Sequence, residues 1–64
     1  MTIHITVETC QGVVDTIRAF LTEESAIAAE RKWLREMGIR DDAHRQSKAD
    51  GGTEFLVFEA ELKP

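Results

Sequence analysis

Residues 23–37 read EESAIAAERKWLREM, and this stretch decides the architecture. Ala26, Ile27, Glu30, Trp33, Leu34 and Met37 recur at three- and four-residue intervals, the spacing that lines one face of a helix. Thr22 stands ahead of it as an N-cap, its hydroxyl placed to accept from the free amides of the first turn. Glu23 and Glu24 follow where the helix dipole favours negative charge. Gly38 closes the segment as a C′ residue, with Ile39 beyond it for the apolar contact that accompanies such caps. A helix of this length spans roughly 22 Å, about that of a seven-residue strand. It can therefore cross a strand and return the chain to the opposite end of a sheet.

The segments on either side read as strands. Residues 2–8 alternate strictly, with Ile3, Ile5 and Val7 on one side and His4, Thr6 and Glu8 on the other, the period of a half-buried strand. Thr9-Cys10-Gln11-Gly12 breaks the pattern, and Gly12 suits a hairpin loop. Residues 13–21 resume as a second strand. Asp15 falls among Val13, Ile17, Ala19 and Leu21, which predicts an edge position or a bulge where the charge reaches water. Residues 40–52 are polar and long for a plain connection. Asp41 or Asp42 is placed to cap a short helical turn there, and Asp50-Gly51-Gly52 is a turn signal. Residues 53–62 form the third strand, with Leu56, Phe58, Ala60 and Leu62 on one side and Phe55 and Val57 on the other.

The expected fold is α+β in a single domain over residues 1–64: β-β-α-β, a three-stranded mainly antiparallel sheet in the order 2-1-3 with one helix on one face. The crossover from the second strand to the third is expected to be right-handed. One helix covers one face only. The face bearing Thr2, His4, Thr6, Val14, Thr16, Arg18, Phe20, Phe55 and Val57 is expected to be the bare one.

With 64 residues, the chain hides only about 60% of the surface its unfolded form exposes. A core of this size supplies about 3–5 kcal/mol unless a disulfide, a metal or a partner subunit adds to it. A single cysteine and two histidines rule out an internal disulfide and fall short of a structural zinc site. Self-association is the reinforcement left. The 42% hydrophobic and 31% charged composition suits an ordered globular domain. The start MTIHITVE has no basic region followed by an apolar run, and no stretch nears the roughly 20 apolar residues of a membrane span. A soluble cytoplasmic protein without a membrane partner is expected.

Net charge is −4, yet six of the eight basic residues lie between Arg31 and Lys48 against three acids. Arg31, Lys32, Arg35, Arg45 and Lys48 thus form a candidate anionic-partner patch. Nucleic acid is the less expected occupant, because its binding rests on phosphate neutralisation and no exposed aromatic set or recognition helix accompanies the patch. A solvated helix face explains these residues more simply.

Glu30 is a candidate buried carboxylate, since it falls within the apolar stripe with no basic neighbour three or four positions away. Arg18 or His4 could pair with it, and a pocket around Glu30, Arg18 and His4 completed by dimerisation would be a small-molecule site. The simpler reading has Glu30 leaning past a sheet edge into water. Cys10 with His4 or His44 lacks an oxyanion loop and an orienting third group. Asp41, Asp42 and His44 match no metal-loop pattern. Gly51-Gly52 lacks the lysine and hydroxyl of a phosphate loop. No catalytic residue, cofactor or metal is therefore assigned.

The functional expectation is a small non-enzymatic interaction or regulatory module, its partner itself or another protein. The expected contact residues are Val14, Phe20, Phe55 and Val57, because exposed apolar patches mark partner sites.

Overall fold

The computed structural model describes residues 1–63. The elements in chain order are β1 (Thr2–Cys10), β2 (Val13–Phe20), α1 (Glu23–Glu36), α2 (Asp42–Asp50) and β3 (Phe55–Glu61). The sheet order is β2-β1-β3, with both pairings antiparallel. The α+β class and strand order agree with the sequence reading.

Local chemistry explains each boundary. Gln11 and Gly12 have φ of 52° and 81°, the paired positive values of a type I′ turn, whose twist matches that of the strands it joins. Along β2 the register steps from Glu8 opposite Thr16 to Thr9 opposite Val14, leaving Asp15 unpaired in a bulge, as its charge in an apolar run predicts. Thr22 Oγ1 accepts the Ser25 amide at 3.2 Å. At the other end of α1 the Gly38 amide donates to the Arg35 carbonyl and the Ile39 amide to that of Leu34. With Gly38 at φ 68°, this is a Schellman motif, which satisfies carbonyls the helix end would leave open.

α2 is longer than the short turn expected there. Asp41 caps it, its side chain accepting the His44 amide at 2.7 Å. The helix carries no buried residue and so shows no apolar stripe in the sequence. After it, Gly52 lies against the β1–β2 turn, with the Gly12 amide donating to the Gly52 carbonyl at 2.9 Å. A Cβ at Gly52 would stand only 2.3 Å from the Gly12 nitrogen.

The core is small. Ala26 and Trp33 of α1 close over Thr6 of β1 and Phe55 of β3, which are 1% and 5% exposed. Opposed residues in an antiparallel pair share a face. The covered face is therefore that of Thr6, with Arg18 and Val57 opposite it and Phe55 two positions along. This corrects the expectation for the bare face. Periodicity divides residues into two sets, but the connection's hand selects the side on which the helix lies. Here α1 lies on the more polar set and leaves the aliphatic set open.

Candidate interaction surface

The open face is built from the odd-numbered residues of β1. Ile3, Ile5 and Val7 run down its centre, with Ala19 and Ile17 beside them on β2, and Ala60, Phe58 and Leu56 on β3. Each position alternates with a residue on the helix side, as the pleat requires. All eight are apolar. Ile17 is 64% and Phe58 52% exposed. After the bulge Val14 joins this side, opposite Thr9.

Of the four expected contact residues, the structure brings only Val14 to the open face. Phe55 is buried, its ring centroid 5.6 Å from that of Trp33. Phe20 and Val57 share the helix side with it. Phe20 is half-buried and Val57 is exposed. Periodicity marks these eight as one apolar set without a charge, but it does not record which side the helix covers.

Glu30 is half-buried, and its partner is neither Arg18 nor His4. Arg45 of α2 reaches it, Nη2 donating to Oε2 at 3.0 Å and to the Phe55 carbonyl at 3.4 Å. Arg18 lies on the other flank of α1, in a recess shared with Glu8, Lys32, Trp33 and Glu36. His4 sits opposite Phe20 and Glu59. The structure does not bring Glu30, Arg18 and His4 into one pocket.

The basic residues are dispersed in the same way. Lys32 lies 3.8 Å from Glu36, and Arg45 is held by Glu30. Arg31 and Arg35 line the outer side of α1 with Glu24, Ile27 and Ala28, while Lys48 is half-buried on α2. Among the described residues, no helix is long and apolar enough to cross a membrane. Among the described residues, no three metal-ligating side chains gather at one point. Comparison with known protein families, curated proteins and solved structures gives no significant match.

Proposed function

We propose that this chain is a small non-enzymatic interaction module that self-associates by packing its open sheet face on that of a second copy. The observation that carries this reading is the uncharged apolar layer left open on one face of the sheet, in a chain with a surplus of accessible surface. The accessible surface is 4805 Å², whereas a monomer of this mass averages about 4,100 Å². The surplus of roughly 700 Å² is close to the roughly 800 Å² that each partner contributes to a standard interface. The radius of gyration is 12.5 Å against about 10.7 Å for a compact chain of this length. Two such faces packed about 10 Å apart would form a sandwich with a helix layer outside each sheet.

Sedimentation equilibrium tests the reading. The wild-type protein is expected to associate at micromolar concentration, and Phe58→Glu to abolish face packing by placing a charge within it. A wild-type protein that remains monomeric at the highest soluble concentration overturns the proposal. A cytoplasmic setting belongs to the same reading, because the exposed thiol of Cys10 stays reduced there.

A further inference from the structure

The two edges of the sheet differ in what they offer a neighbouring strand. In an antiparallel ladder, a residue's amide and carbonyl point to the same side, and the side alternates along the strand. The Thr9 amide donates to the Glu54 carbonyl at 2.9 Å, and the Met1 carbonyl accepts from the Leu62 amide at 2.7 Å. Odd-numbered residues of β1 therefore turn toward β3 and even-numbered ones toward β2. Carried through the registers, this directs the backbone of Phe55, Val57, Glu59 and Glu61 outward on β3. On β2 it directs Ile17 and Ala19 outward.

The β3 edge is guarded. Arg45 occupies the Phe55 carbonyl, and the carboxylates of Glu59 and Glu61 repel a second copy of themselves. The β2 edge is guarded only at its start, by the Asp15 bulge. The amides and carbonyls of Ile17 and Ala19 meet no partner among the described residues, and neither side chain is charged.

We infer that the β2 edge pairs antiparallel with the β2 edge of a second copy, about a two-fold axis at Ile17. Such an axis runs perpendicular to the sheet, so every residue keeps its face. Centring on Arg18 would set two guanidinium groups opposite one another, and centring on Thr16 would set Ile17 against the bulged Asp15. Centring on Ile17 avoids the guanidinium pair and moves the bulge one step outward, so that Asp15 faces Ala19 rather than Ile17. It puts Ile17 opposite Ile17, and Arg18 opposite Thr16, one position from Asp15 of the other copy. The product is a six-stranded sheet with both α1 helices on one face and a continuous aliphatic face on the other. This goes beyond face packing and does not rest on it, since one contact uses backbone groups at the edge and the other uses side chains on the face. Together they make a four-copy assembly.

Amide hydrogen exchange by NMR, read with the mass of the wild-type protein and of Phe58→Glu, tests the inference. Val57 and Glu59 serve as internal controls, because their amides also point outward from an edge. Ile17 and Ala19 are expected to exchange at least about a hundredfold more slowly than these two, with the difference shrinking on dilution. Phe58→Glu, which removes face packing, is expected to remain a two-copy species. Equal exchange at all four amides, or a monomeric Phe58→Glu, overturns the edge contact. A two-copy wild-type protein with Ile17 and Ala19 protected keeps the edge contact and rejects face packing. A two-copy wild-type protein with them unprotected does the reverse, and a monomer rejects both.

Discussion

The Trp33 and Phe55 rings meet at 40° with centroids 5.6 Å apart, and this tilted pair closes the core between α1 and β3. Both rings are nearly inaccessible, Trp33 at 6%. Truncating a buried aromatic costs about 3–5 kcal/mol, which matches the whole stability a core of this size supplies, about 3–5 kcal/mol. Trp33→Ala is expected to be unfolded and Trp33→Phe folded with reduced stability, as urea titration followed by circular dichroism will show.

Thr6 is the largest fully buried side chain among the described residues, and its Oγ1 has no hydrogen-bond partner among them. An unsatisfied buried hydroxyl costs about 1–3 kcal/mol. Thr6→Val keeps the shape and removes that cost. It is expected to raise the urea midpoint, with a gain of about 1 kcal/mol, and Thr6→Ala to lower it by opening a cavity.

Gly52 and Gly38 both have positive φ, at 86° and 68°, but their surroundings differ. A methyl at Gly38 meets nothing within 4 Å, so Gly38→Ala bears only the backbone cost of about 1 kcal/mol. At Gly52 the same methyl collides with the backbone of Gly12. Gly52→Ala is expected to lose more than about 2 kcal/mol and to separate the hairpin turn from the loop before β3. Chemical denaturation of the two variants side by side gives the comparison.

Arg45 joins α2 to the rest of the molecule through Glu30 and the Phe55 carbonyl. The two side chains are 35% and 28% exposed, so solvent screens the pair and its worth is about 1 kcal/mol or less. Arg45→Met is expected to change global stability little while speeding amide exchange within residues 42–50. Unchanged exchange there would show that α2 is held by other contacts.

The Met1 ammonium, 2.9 Å from Glu61 Oε1, and the Thr2 hydroxyl hold the Glu61 carboxyl below its ordinary value of 4.5. A carboxyl whose pKa falls on folding stabilises the fold above its unfolded value and loses that contribution as pH drops through its folded value. Glu61 thus supports the β1–β3 end at neutral pH and does so progressively less as pH falls below about 4.5. In thermal melts, Glu61→Gln is expected to lower the neutral plateau while leaving the acid end unchanged, and so to flatten the acid limb of the stability profile.

Much of the fold was legible because its signals are local. Thr22, Gly38 and Ile39 mark the ends of α1 through hydrogen bonds made within a few residues. Asp15 marks a bulge because a charge in an aliphatic run must reach water. The covered side of the sheet depends on the path of a crossover, which periodicity does not record, so Phe55 was expected in the open and lies in the core. α2 carries no apolar stripe, leaving Asp41 as its main trace in the sequence. The Arg45–Glu30 pair joins two helices, and spacing along α1 alone does not reveal it. The aliphatic set was visible from the start, and only its side was misplaced.

The central strand precedes both of its neighbours along the chain, and one of them, β3, follows only after both helices. A nascent chain halted before Phe55 has nothing to set against Trp33, and the loop that steadies the hairpin tip is not yet there. Assembly must therefore wait until β3 has left the ribosome. Until then the greasy flank of β1 is exposed to chaperones and to other nascent chains alike.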